Sequence, residues 1–326
     1  MKKKIKKRDK DKNMNKEKFY TNRRNIVLLA TLCCILWGSA YPAIKSGYEM
    51  FNIETNDIPS KLIFAGYRFA LAGIIVLITG VAARKNLFNF SLKEIGQITL
   101  LGFTQTTLQY IFFYVGLSYT TGIRSSIING TGAFFSIILA HFIYKNDRLN
   151  FNKILGCIIG FAGVIVVNLN GESFFGTSFS LEGEGSVMLA AFILSAASIY
   201  GKKITQHQDA SIVTGYQLFI GGVILTVLGF ACGGKLTGFT LKSSALLGYM
   251  ALLSSVAFVL WTELLKYNKV GIISVFNFSV PIFGSLLSAI FLGESIFDIK
   301  ILIGLILVCT GIYLVYKIND TSKANK

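Results

Sequence analysis

The chain has 326 residues, 53% of them hydrophobic and 15% charged, with a mean hydropathy of +0.60 and a formal net charge of +16. A soluble domain carries about 25% charge, so too few charged groups are present to coat a water-facing surface of this size. That excludes a soluble enzyme, a disordered chain and a disulfide scaffold. The composition is that of an all-α integral membrane protein crossing the bilayer many times.

Residues 1–25 form a basic tail, with 12 Lys or Arg against three acids in the first 24 positions. A spanning helix needs about 20 mostly apolar residues, and ten runs follow: Ile26–Ser46, Leu62–Ala82, Ile95–Leu117, Ile123–Ile143 and Ile154–Leu169, then, after a polar loop at 171–185, Ser186–Tyr200, Ile212–Cys232, Ala245–Leu265, Val270–Leu292 and Ile299–Tyr316. The sixth is the least apolar, because of Ser195 and Ser198. The first is too long for the core of a secretory signal, and Lys45 follows it where small residues would mark cleavage. It is read as a retained helix. The five cysteines all lie in apolar runs without the paired spacing of a zinc or redox site, and are read as small packing residues. No cofactor and no metal are expected.

With the tail in the cytoplasm and ten crossings, 25 of the 32 Lys and Arg residues fall on the cytoplasmic side. The positive-inside rule requires this bias. Both termini, including the tail at 317–326, are then cytoplasmic and the protein sits in the cell (inner) membrane. The basic tail is explained by topology and attraction to anionic lipid in the bilayer; it lacks the interleaved aromatics of a nucleic-acid binder, and no nucleic acid is expected as a partner. The segment from Gly229 to Lys235 has phosphate-loop spacing, but Leu236 stands where Ser or Thr should hold magnesium and no strand precedes it. It is dismissed.

An internal repeat relates residues 114–167 to 261–315. Asp147 and Lys153 correspond to Glu294 and Lys300 at an offset of 147; after a one-residue slip, Gly156 and Gly163 correspond to Gly304 and Gly311. Five spans per half is an odd number, so the expected fold is ten transmembrane helices as two inverted five-helix repeats, 26–170 and 186–316. That architecture binds its solute near the midplane, between the halves.

Four motifs occur in order on the right helices. Trp37-Gly38-Ser39-Ala40-Tyr41-Pro42-Ala43-Ile44-Lys45 lies on the first span and Arg68 on the second. Val280-Pro281-Ile282-Phe283 runs on to Leu292-Gly293-Glu294 on the ninth, and Gly304 and Gly311 lie on the tenth. Together they resemble the EamA-like family of the drug/metabolite transporter superfamily over residues 26–316. The resemblance implies a ten-span carrier, commonly an exporter of amino acids, metabolites or toxic organic compounds. Two departures make the halves unequal: Phe134 stands where the repeat predicts proline, and Asp147 where glutamate is usual. The sixth span also lacks an aromatic equivalent to Trp37.

Polar side chains at lipid depth are costly and usually face a cavity or a partner helix. Gln105 and Gln109 in the third span, Asn129 in the fourth and Asn277 in the ninth, with Trp37 and Tyr41 as an aromatic stripe, suit a cavity for a small-molecule substrate. The plainer reading is interhelical hydrogen bonding, under about 2 kcal/mol per contact. Arg68 would bind a substrate carboxylate, pair with Glu49 or Asp57, or snorkel to the interface. Glu263 and His141 are the candidates for proton coupling, with an ion pair to Lys266 as the simpler account of Glu263 and an interfacial ring that of His141. The Gly156, Gly160 and Gly163 face packs helices within the chain or forms a homodimer contact. An alternative within the transporter class is a lipid-linked or nucleotide-sugar carrier, which would need several midplane cations; one from another class is a membrane enzyme or sensor. An enzyme would need a nucleophile–base pair or a ligand set at one depth, and neither is visible.

Overall fold

The computed structural model describes residues 14–120, 125, 128–168, 180–292 and 299–324. Among the described residues the ordered backbone is helical, and each of the ten apolar runs overlaps a helix. The order is α1 (Arg23–Met50), α2 (Ile58–Ala82), α3 (Leu92–Gly102) continued through a π turn (Phe103–Leu108) into α4 (Gln109–Tyr119), α5 (Gly132–Ile143) and α6 (Phe151–Asn168). A second π turn (Leu181–Gly185) opens α7 (Ser186–Thr205), followed by α8 (Ala210–Ala231), α9 (Leu241–Tyr267) and α10 (Val270–Ser274). A 3₁₀ segment (Val275–Phe278) joins α10 to α11 (Ser279–Leu292), and α12 (Ile299–Ala324) ends the bundle.

Six stretches are long and apolar enough to cross a bilayer: Arg23–Met50, Ile58–Ala82, Leu181–Thr205, Ala210–Ala231, Leu241–Tyr267 and Val270–Phe291. Ile128–Ile143, Phe151–Val166 and Leu302–Val315 are shorter apolar helices. The outer faces are apolar: Ile78, Phe142, Ile158, Val227 and Ile306 all point away from the bundle. An exterior of that kind is stable against lipid, not water.

Helix starts follow local chemistry. The Asp57 side chain accepts from the Ser60 amide with Pro59 in the first turn, Ser91 and Glu94 form a capping box, and Asp209 accepts from the amides of Ser211 and Ile212. Each cap satisfies a donor the helix would leave unpaired, for about 1 kcal/mol.

Packing inside the bundle rests on glycine. Helices in lipid gain little from burying apolar surface, so close backbone approach through small residues holds them together. On α2, Gly66 and Gly73 lie against Gly222 and Gly215 of α8, and Gly229 meets the Pro59 carbonyl. This register runs the two helices antiparallel, with contacts seven residues apart on both. The same holds for α6 and α12: Gly156 lies on the Gly311 carbonyl and Gly163 on that of Gly304. Gly160 packs on the Phe278 ring, so the glycine face of the fifth run is used within the chain. Further close pairs are α1 with α11, α5 with α7, α1 with α9, and α4 with α7. Cys33, Cys34 and Cys157 are buried as packing residues, whereas Cys232 and Cys309 are exposed; the packing reading holds only for the first three.

Candidate functional site

Two of the apolar runs are interrupted at corresponding places. The ninth narrows to the 3₁₀ segment Val275–Phe278 because Pro281, three residues beyond it, has no N–H to give the carbonyl four residues back. That carbonyl belongs to Asn277. The fourth run breaks at Thr131, whose amide turns back to the Ile128 carbonyl at 2.9 Å before α5 begins. Asn277 sits within the 3₁₀ segment and Asn129 two residues before the break at Thr131, 148 residues apart, both partly exposed. The Asn129 side chain lies beside the Tyr41 hydroxyl, and the Tyr41 ring lies on Gly284 of α11.

A second group surrounds Arg68 on α2. Its Nε donates to Ser254 Oγ on α9 at 2.7 Å, and its guanidinium carbon is 5.0 Å from the centre of the Phe69 ring. Phe69 is 4.7 Å from Tyr110 and 6.0 Å from Phe258, and Tyr110 is 6.0 Å from Tyr114. Beside Tyr114 the Tyr48 hydroxyl is buried without a well-formed hydrogen bond. Arg68 is only 3% exposed. It therefore neither snorkels to the interface nor pairs with Glu49 or Asp57; ring faces and hydroxyls enclose it instead.

A narrow cleft of ≈ 10 Å³, room for about one water molecule, is lined by Gln105, Ser198, Lys202, Gln217, Trp261 and neighbours. The π turn carries Gln105, Thr106 and Thr107, all three buried. Gln105 Nε2 donates to Ser198 Oγ on α7 at 3.4 Å, Thr106 Oγ1 accepts from Gln217 on α8, and Thr107 donates to the Gly221 carbonyl. A regular α-helix would spread three successive residues around its circumference; the extra residue of a π turn lets them serve two neighbours. Thr106, Thr107 and Gln217 are thus interhelical bonds, whereas Gln105 also faces the cleft. Gln109, one turn on, is buried with no hydrogen bond among the described residues.

Trp261 joins the two groups. It lines the cleft, and its ring centre is 5.0 Å from that of Trp37, which lies 5.6 Å from Phe258 and so reaches the Arg68 enclosure. Sequence spacing offered a signal for the missed aromatics: Tyr110 and Tyr114 are i,i+4, and Phe258 and Trp261 are i,i+3.

The coupling candidates are placed elsewhere. Glu263 is buried and pairs with Lys16 at 3.4 Å, not with Lys266, whose ammonium donates to the Gln208 carbonyl. Tyr20 stacks on Tyr267 at 5.6 Å and its carbonyl accepts from Asn268, so residues 14–21 dock on the end of α9. Burial pushes the Lys16 ammonium down, but the Glu263 and Asp209 carboxylates outweigh it and hold the group above its ordinary value. His141 Nδ1 accepts from the Leu149 amide at 3.1 Å and takes no part in the enclosure. Asp147 is buried against Lys153 at 2.6 Å and accepts from the Gly271 amide at 2.9 Å, capping α10; Glu294, its counterpart, lies outside the described residues. Among the described residues no three His, Cys, Asp or Glu side chains cluster as metal ligands would.

Known proteins share this organisation. A solved crystal structure aligns with a TM-score of 0.74 over 91% of this chain and 98% of its own, at 15% identity. An uncharacterized transporter of Archaeoglobus fulgidus is 27% identical over 88% of this chain and 96% of its own length. The uncharacterized transporter YvbV of Bacillus subtilis is 28% identical over 93% and 94%. A probable amino-acid metabolite efflux pump of Salmonella typhimurium is 24% identical over 88% and 93%. The model of the EamA-like transporter family matches residues 24–169 and again 181–317. With a lipid-facing exterior, spanning helices and a family match over most of its length, this chain is a multi-pass membrane transporter belonging to the EamA-like transporter family.

Proposed function

We propose that the protein is a ten-span carrier of two inverted repeats, 26–170 and 186–316, that moves a small organic solute outward across the cell membrane by alternating access. Both termini are cytoplasmic in this reading. The observation that carries it is the pair of helix interruptions at Thr131 and at Val275–Phe278, in corresponding positions of the two halves and beside Asn129 and Asn277. Discontinuous helices at such positions expose backbone and side-chain polar groups where inverted halves meet.

Helix pairing supports the same reading. Numbering the apolar runs one to ten and exchanging each for the one five places away turns the α1–α11 contact into α5–α7, and α1–α9 into α4–α7. The α2–α8 and α6–α12 pairs map onto themselves, and the Gly156–Gly311 contact becomes Gly163–Gly304. Trp37, Tyr41, Arg68, Gln105, Gln109, Asn129 and Asn277 are the solute-binding residues of this reading. Outward movement is favoured by the efflux activity named for the relative in Salmonella typhimurium.

Exchange of radiolabelled amino acids, nucleosides and aromatic amines by the purified chain in liposomes tests the proposal. Saturable exchange that is lost on Gln109→Ala, with the fold retained, is expected. No exchange of any solute, with or without a pH gradient, refutes it.

A further inference from the structure

Resting on the carrier reading, we propose that Arg68 is the counter-ion of the solute, and that the site takes a small organic acid as its monoanion in preference to a zwitterion, a neutral amide or a cation.

The argument begins with an unbalanced charge. A guanidinium stays protonated in any protein environment, so Arg68 cannot shed its charge on burial as a lysine can. Buried charges are ordinarily paired. Arg68 is buried, yet its one hydrogen bond uses Nε alone, and among the described residues neither terminal nitrogen has a partner. The ion pairs formed by Glu263, Asp209 and Asp147 go to Lys16, Lys85 and Lys153. Around Arg68 stand Tyr48, Phe69, Tyr110 and Tyr114, all uncharged at neutral pH. The terminal nitrogens form the half of the fork that binds a carboxylate through two parallel hydrogen bonds.

Charge balance then narrows the solute. A monoanion leaves the occupied site neutral. A zwitterion leaves it at +1 and brings an ammonium that would need a carboxylate, which this enclosure lacks among the described residues. The rings of Phe69, Tyr110 and Phe258 supply walls for an apolar body.

The test uses a charge series on one body: N-acetyl-leucine, leucine, N-acetyl-leucinamide and leucinamide. The chain has two tryptophans, Trp37 and Trp261, 5.0 Å apart at the edge of the site, so intrinsic fluorescence of the purified protein in nanodiscs reports binding there. N-acetyl-leucine is expected to bind about tenfold or more tighter than N-acetyl-leucinamide, the yield of a charge-assisted pair. Arg68→Gln should erase that ranking, and Arg68→Lys should keep its sign at reduced size. Should Arg68→Gln not fold, the wild-type series still decides. Equal binding of acid and amide, tighter binding of leucine, a ranking that survives Arg68→Gln, or no binding by any member overturns the proposal. Liposome exchange of the same series separates the two readings. Exchange without charge ranking removes the anion assignment and leaves the carrier. Ranked binding without exchange removes the carrier and leaves the anion site.

Discussion

Replacing Gly222 with alanine places a methyl group 2.3 Å from the Ala70 amide nitrogen and 2.8 Å from the Gly66 carbonyl oxygen. Both belong to helix backbone, which cannot swing aside, and ordinary contact begins near 3.4 Å. Helices α2 and α8 must therefore part locally by about 1 Å, a gap that forfeits a quarter to a half of the attraction between facing atoms. Overpacking of this kind costs about 1–3 kcal/mol. Alanine is also the better helix former by about 1 kcal/mol, which hides part of the loss. Gly248→Ala on α9 supplies the correction, since its new methyl meets nothing within 4 Å. The two variants share the propensity gain and differ in packing. Thermal unfolding of both in one detergent should place Gly222→Ala below Gly248→Ala by several degrees, at about 2–4 °C per kcal/mol for a chain of this order of size. Equal midpoints would show that the α2–α8 contact is looser than the glycine register implies, and the packing argument would fail.

Asp147→Ala should cost about 3–5 kcal/mol, because it strands a buried Lys153 ammonium and the Gly271 amide together; an unchanged melting temperature would contradict this. Burial pushes the Asp209 carboxyl up, but hydrogen bonds from Lys85 and Ser211 outweigh it and hold the group at about 2. A depressed carboxyl stabilises the fold fully above its unfolded value and loses that contribution as pH falls toward the folded one. Lys85→Met should thus lower stability at neutral pH by about 1 kcal/mol after allowing for solvent screening, and the gap from wild type should close between pH 4 and pH 2. Glu263→Gln removes the charge that holds Lys16; trypsin should then cut faster after Lys16 and Lys18, and unchanged cleavage would mean that the stacking of Tyr20 on Tyr267 alone keeps the segment docked.

The helical runs were legible because the bilayer imposes length and hydropathy on one local stretch at a time. At the offset of 147 that relates Asp147 to Glu294, Asn277 falls opposite Gly130, one residue from Asn129, so the neighbourhood of the two interruptions was within reach of the sequence once the repeat was aligned. Arg68 was not. Depth along a helix places it within reach of the interface, but it cannot show that Tyr48 and Tyr114 close around it from α1 and α4. The partner of Glu263 was hidden for a related reason: Lys266 is one turn away, whereas Lys16 is brought from 247 residues away by the docking of the N-terminal segment. The glycines at 66, 73 and 215, 222, 229 carried their register openly, but hydropathy gives glycine no weight, and only the paired backbones reveal which helices they join.

The two interruptions differ in permanence. At Pro281 the missing N–H is covalent, so no motion can restore the hydrogen bond to the Asn277 carbonyl or make the ninth run continuous. At the corresponding position Phe134 keeps its N–H, and the break at Thr131 is held by its own amide and hydroxyl, both donated to the Ile128 carbonyl. Rotation of a few backbone angles is enough to anneal the fourth run into one unbroken helix. The first half can thus reach a continuous helix that the second cannot, so under the alternating-access proposal the inward-facing and outward-facing forms would differ in free energy before any solute or ion is bound. A built-in bias of that kind predicts amide hydrogen exchange at 131–134 that changes when one form is trapped, while 278–281 stays constant.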